Sequence, residues 1–177
     1  MRVSCLCPRF LLALPGSALC LVALAPPAQC GENAQAVFAS GRGAVAFGLA
    51  AVAEIAGKKL ERFECAMVFS DYRDASGRLL SDRLIDQRLT ARDYFDALSF
   101  YDGFGVRLCG DRHVAAATVP GSNLVAICTE TFNSLTLKSP GLAADVLIHE
   151  MLHGLGLRED RPTSEAVTAQ VARRCGR

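Results

Sequence analysis

The chain has 177 residues, 51% hydrophobic and 21% charged, with a formal net charge of +1; this is the balance of one globular domain and too little chain for two large ones. No block of the composition points to disorder, and a charge this close to zero leaves no electrostatic footprint for a nucleic-acid or anionic-membrane partner.

Residues 1–30 read as a targeting segment. "MRVSCLCPR" carries Arg2 and Arg9 without an acid, and an apolar run follows from Phe10 to Ala25, which is the layout of a signal peptide. The run is about 16 residues against the roughly 20 needed to span a bilayer, and Pro15 interrupts it, so cleavage is expected over a retained anchor. Ala28 and Cys30 are the candidate cleavage points, and the residues before Cys20 and Cys30 lack a lipoprotein pattern. The expected organisation is a signal peptide at 1–30 and a single domain at 31–177, secreted or periplasmic, with no stable membrane insertion after cleavage. Loss of the two arginines changes the formal charge from +1 to −1.

From Ala34 to about Val68 the chain is alanine-rich, with Val37, Val45, Leu49, Val52, Ile55, Leu60 and Phe63 at helical spacing. This predicts one long or broken helical region, weakened by four glycines. Its N-terminal position also raises the option of a removable propeptide covering the site from residues 34–60. "DYRDASGRLLS" has the composition of a loop. "LTARDYFDALSFYDG" predicts a short amphipathic helix capped by Thr90, with Tyr94, Leu98 and Tyr101 on one stripe and an end near Gly103.

The period then changes to two. "FGVRLCG" and "NLVAICTETF" are β-rich, and "VAAATVPGSN" between them carries a Pro-Gly turn, so antiparallel strands are expected. A strand beside a metal-binding helix would offer its edge to an extended peptide. "SPGLAADVLIHEMLHGLG" predicts a helix begun around Ser139–Leu142 and stopped by Gly154 or Gly156. The last helix is expected in "RPTSEAVTAQVARRC", capped by Thr163 or Ser164, with Val167 and Val171 facing inward.

Eight cysteines are present. Cys5, Cys7, Cys20 and Cys30 fall in the targeting segment, so Cys65, Cys109, Cys128 and Cys175 remain. An even count in an exported domain predicts two disulfides, and no two of the four have the short spacing of a cysteine-based zinc site. Three pairings are open. Cys109 with Cys128 is the first choice because both belong to neighbouring expected strands, which leaves Cys65 with Cys175.

The chemistry concentrates in "LIHEMLHGLGLRED". Each helical residue advances about 100°, so His149 and His153 stand on one face a turn apart and two imidazoles can reach one ion. Glu150 lies close by without being obliged to ligate, the position of a general base. Val146, Leu147, Ile148, Met151, Leu152 and Leu155 are apolar, so this helix is expected to be buried. Zn2+ held there would bring a coordinated water near neutrality for attack on a carbonyl. The third ligand must come from downstream, where Glu159, Asp160 and Glu165 are the acids; a solvated turn with helix-N-terminal acids would explain the same residues without a metal.

The matching positions His149, Glu150, His153, Gly156 and Glu159 resemble the extended zincin signature HExxHxxGxxH of the metzincins, in a form ending in an acid as in the snapalysin-like peptidases. The resemblance implies His149, His153 and Glu159 as metal ligands, Glu150 as catalytic base, and a reversal at Gly156 that swings residue 159 back beneath the metal. Glu165 would instead make a gluzincin-like triad. The methionine turn of the metzincins is missing, since Met151 is the last methionine, and no tyrosine follows the motif; Arg158 and Arg161 are the nearby cations. The run through Cys175 is similar to bacterial exported metallopeptidases, strongly over the last third of the chain.

The expectation is therefore an α+β, small zincin-like domain with a metal-binding active-site helix, a few antiparallel strands and a long N-terminal helical region. It would be an exported zinc metallopeptidase, a hydrolase acting on a peptide or protein substrate, with a cell-wall amide open to the same chemistry. The alternative is a non-catalytic exported protein, binding or structural, that zinc or a hydrogen-bonded histidine pair stabilises.

Overall fold

The computed structural model describes residues 44–159 and 162–176. The expected signal segment at 1–30, residues 31–43, Asp160 and Arg161 lie outside the described residues. Eight helices and three strands follow in chain order: α1 (Ala44–Leu60), α2 (Phe63–Ala66), α3 (Val68–Asp71), α4 (Leu80–Gln87), α5 (Ala91–Asp96), β1 (Ser99–Asp102), β2 (Ala116–Thr118), β3 (Leu124–Ile127), α6 (Thr129–Lys138), α7 (Pro140–Gly154) and α8 (Ser164–Cys175). The architecture is α+β, helix-rich with one small sheet.

Helix α7 is the centre of the core. Ser139 caps it, its Oγ accepting from the Leu142 amide at 3.3 Å, and Pro140 enters the first turn, where a missing N–H costs nothing. Every residue from Ala143 to Gly154 except the partly buried Val146 is buried, as the apolar run predicted. Helices α1, α6 and α8 and strand β2 pack around it. From α1 come Leu49, Val52, Ala53, Ala56 and Leu60, all in the core cluster. Residues 44–60 are thus integral to the fold, which weighs against their being a removable cover.

The sheet has the order β1-β3-β2. β2 and β3 form an antiparallel hairpin around the Pro-Gly turn, with Ala117 opposite Ala126; the direction is as expected, but β2 falls within "VAAATVPGSN", which the sequence pattern assigns to the connection, rather than within "FGVRLCG". β1, however, runs parallel to β3, with Phe100 opposite Val125, so the sheet is mixed rather than wholly antiparallel. The reason is a misread boundary. The α5 capping box is present, Thr90 and Asp93 exchanging side-chain to backbone bonds at 3.1 Å, but the helix stops at Asp96 and Ser99–Asp102 becomes a strand whose backbone is satisfied by β3. Tertiary pairing overrides the helical spacing of Leu98 and Tyr101. "FGVRLCG" is also not a strand. Gly105 takes φ +83° and Arg107–Gly110 coils into a 3-10 turn.

Both disulfides pair as first chosen: Cys65 with Cys175 and Cys109 with Cys128, with Cα separations of 4.4 and 4.9 Å. The ground for the second pair was incomplete, because Cys109 sits in the 3-10 turn and Cys128 precedes α6. Two disulfides are consistent with an extracellular location. Among the described residues no helix is long and apolar enough to cross a membrane.

Candidate metal centre

The site is built on the C-terminal half of α7 and the reversal that follows. Gly156 has φ +109°, a conformation that L side chains rarely adopt. Its amide bonds to the His153 carbonyl at 2.8 Å, and the Leu157 amide reaches back to the Leu152 carbonyl at 3.0 Å. These two bonds form a Schellman cap. It ends the helix and sends the chain back across it, so that Glu159 returns beneath His149 and His153.

Three ligand-type atoms converge there. His149 Nε2 lies 3.0 Å from His153 Nε2 and 2.9 Å from Glu159 Oε1, and His153 Nε2 is 3.2 Å from the same oxygen. Nitrogen and oxygen donors held at about 2.0–2.1 Å by a tetrahedral zinc would stand about 3.3 Å apart. The observed separations fall within a few tenths of an ångström of that value. Among the described residues this is the one group of three or more metal-ligand side chains brought together. Glu165, the alternative ligand, is exposed on the first turn of α8 and outside the cluster; Asp160 falls outside the described residues.

The hydrogen bonds behind the imidazoles bear on whether an ion fits. The Leu157 carbonyl, 2.9 Å from His153 Nδ1, can only accept, so Nδ1 carries the proton and the neutral ring presents a lone pair at Nε2. His149 Nδ1 lies 2.9 Å from Thr168 Oγ1 on α8. With that nitrogen donating, two ring lone pairs and a carboxylate face one point, and only a cation satisfies all three. The donor set, two imidazoles and a carboxylate, suits Zn2+.

Compared with protein-family models, curated proteins and solved structures, the chain matches none. The chemistry of the site therefore rests on its own geometry.

Glu150 is 6% exposed. Burial pushes its carboxyl up to about 7, and the Glu159 charge acts in the same direction, against the opposing pull of His153 and of the Thr118 hydroxyl and amide. Although Thr118 faces this carboxylate, neither Glu150 Oε2 nor Thr118 Oγ1 completes a hydrogen bond. Glu159 is shifted the other way. A hydrogen bond from His149 leads, which applies when that ring carries a proton rather than an ion at Nε2; Ser164 and the two imidazoles aid it and burial opposes it, leaving the carboxyl at about 2. Two glutamates in one site are thus shifted in opposite directions, Glu159 toward the anion and Glu150 toward exchanging a proton near neutrality.

The cleft in front of these groups has a volume of about 250 Å³. One wall is β2, which among the described residues pairs with β3 on one side only. Leu108, Val114 and Pro120 supply apolar surface, and His149, Glu150, His153 and Glu159 form the floor. The turn joining β2 to β3 is pinned to the helix end, where the Gly121 amide donates to the His153 carbonyl at 2.9 Å.

Sequence reasoning missed Thr118, the Leu157 carbonyl, Ser164 and Thr168. Only the last two leave a trace, as hydroxyl residues one turn apart on a helix otherwise rich in alanine and valine. Nothing in that spacing says which donor each would meet.

Proposed function

We propose that this chain is an exported zinc-dependent peptidase with a zincin-like arrangement, in which His149, His153 and Glu159 hold the metal and Glu150 moves the proton. The observation that carries the reading is the pairing of the three-donor convergence with a buried carboxylate beside it, one of whose oxygens, Glu150 Oε2, has no hydrogen-bond partner, at the floor of an open cleft. A purely structural metal site has no use for such a group.

Zinc bound there would supply Lewis acidity, lowering the pKa of a coordinated water and polarising the scissile carbonyl. The Glu150 carboxylate would take the proton of the attacking water and deliver it to the leaving nitrogen, which suits a carboxyl with pKa near neutrality. The unpaired side of β2 would hold an extended peptide by backbone hydrogen bonds, and Leu108, Val114 and Pro120 would shield its side chains from water. Glu159, whose carboxyl is held well below the usual carboxylate range, would offer an unprotonated ligand oxygen near neutral pH.

A second reading has one observation in its favour. Were Thr168 to donate to His149 Nδ1, His149 Nε2–H would bond Glu159 and His153 without a metal. Metal analysis of the purified protein with a peptide-library digest separates the two. The peptidase reading expects stoichiometric zinc in the wild type and in Glu150→Gln, with hydrolysis in the wild type alone; zinc-free protein, or zinc-bound protein that cleaves nothing, overturns it.

A further inference from the structure

Helix α8 lies outside the HExxH motif and its reversal, yet it touches two of the three donors. Ser164 and Thr168 are one turn apart and share a face. The Thr168 hydroxyl meets His149 Nδ1 at 2.9 Å, and Ser164 lines the cleft together with Glu159, where its hydroxyl helps hold that carboxyl low. His149 is 4% exposed, so its Nδ1 has no ready solvent substitute for the threonine.

The two histidines are supported differently. His153 is backed by a main-chain carbonyl that belongs to the same Schellman turn, so its tautomer is set by the backbone. His149 is backed by a side chain on another helix, and a hydroxyl both donates and accepts. Only with Thr168 Oγ accepting is the His149 Nε2 lone pair available to an ion.

We infer that α8 is a working part of the metal centre, with Thr168 as the positioning residue that holds His149 in its metal-binding tautomer and Ser164 as the residue that steadies Glu159. The inference deepens the proposed function and rests on the metal site it describes. Removing the hydroxyl at 168 leaves His149 Nδ1 buried without an acceptor. The ring then gains by rotating or by moving its proton to Nε2, and each change withdraws a ligand. Outer hydrogen bonds of this kind are worth about 10- to 100-fold in metal affinity.

The test compares wild type, Thr168→Val, Thr168→Ser and Ser164→Ala loaded with Co2+, reading the visible d–d spectrum for geometry and a chelator competition for affinity. Far-UV circular dichroism of each chelated protein shows that the fold is kept. Thr168→Val should bind Co2+ at least about 10-fold more weakly with an altered d–d band, Thr168→Ser should recover both, and Ser164→Ala should weaken binding without removing the band. Equal affinities for wild type and Thr168→Val, or a serine variant as weak as the valine one, overturn the role of α8. A wild type that takes up no Co2+ fails one level earlier, at the metal site itself.

Discussion

Lys59 Nζ, near the end of α1, donates to Asp145 Oδ1 at 2.7 Å, one turn of α7 before His149. The same ammonium donates to the Gly141 carbonyl at 2.8 Å, and the two side chains are only 14% and 5% exposed. The pair ties α1 to α7 one turn before the first of the two candidate ligand histidines.

Breaking that pair strands a buried charge. Lys59→Met should destabilise the chelated protein by about 3–5 kcal/mol, while Lys59→Met with Asp145→Leu should recover most of the loss, because the cost is the uncompensated carboxylate rather than the missing attraction. Urea denaturation of the single and double variants measures both. A double variant no better than the single one contradicts the account.

Glu150 gives a pH signature. Its folded pKa of about 7 lies above the ordinary 4.5, so native protein binds the proton more tightly than unfolded protein does. That contribution is present in full below about pH 4.5 and disappears as pH rises through 7, after which the chelated fold carries a buried anion. Glu150→Gln should therefore raise the stability of chelated protein by up to about 3 kcal/mol at pH 8 and by little at pH 4.5, taking about 1.4 kcal/mol per unit. The same change should lower hydrolysis by about 10²- to 10⁴-fold. A stability gain that does not grow with pH would argue against the burial of this charge.

Gly156 is the hinge of the reversal, and a Cβ added there would meet Asp74 Cβ at 3.2 Å besides taking φ +109°. Gly156→Ala should lower stability by about 1–3 kcal/mol and weaken zinc by displacing Glu159. Glu159→Ala should weaken zinc without the stability loss, and Glu165→Ala should change neither. Thermal unfolding and zinc titration of the three variants distinguish these patterns.

The Cys109–Cys128 bond anchors the 3-10 turn that carries Leu108 to the cleft wall. Replacing both cysteines with alanine should cost about 2–4 kcal/mol. Because on the proposed function this wall would meet the substrate while His149, His153 and Glu159 stay untouched, KM should rise more than kcat falls. Steady-state kinetics on one cleaved peptide reads the split.

The parts of this molecule legible in the sequence are those whose signals are local. Ser139-Pro140 and Gly156 bracket α7, Thr90 with Asp93 starts α5, and the His149–His153 spacing needs only a helix. What escaped notice depends on residues distant in the chain. Ser99–Asp102 carries helical spacing and becomes a strand because β3 is there to pair with it, and its parallel direction follows from the excursion through 103–123 that precedes β3. Helices α4 and α6 went unread, α4 because it is short and polar with Leu80 and Leu84 as its buried residues, and α6 because its first turn continues the apolar run of β3. Thr168 came to His149 by packing of α8 on α7, which no periodicity encodes.

The Cys65–Cys175 bond spans 110 residues of sequence, and His149, His153, Glu159 and the described lining residues of the cleft all fall between its two ends. On the proposed function, an exported peptidase would be exposed to nicking at its own surface loops. One cut between residues 66 and 174 would leave a single covalent molecule, both fragments still joined through α2 and α8, so backbone scission and loss of the assembled site become separate events.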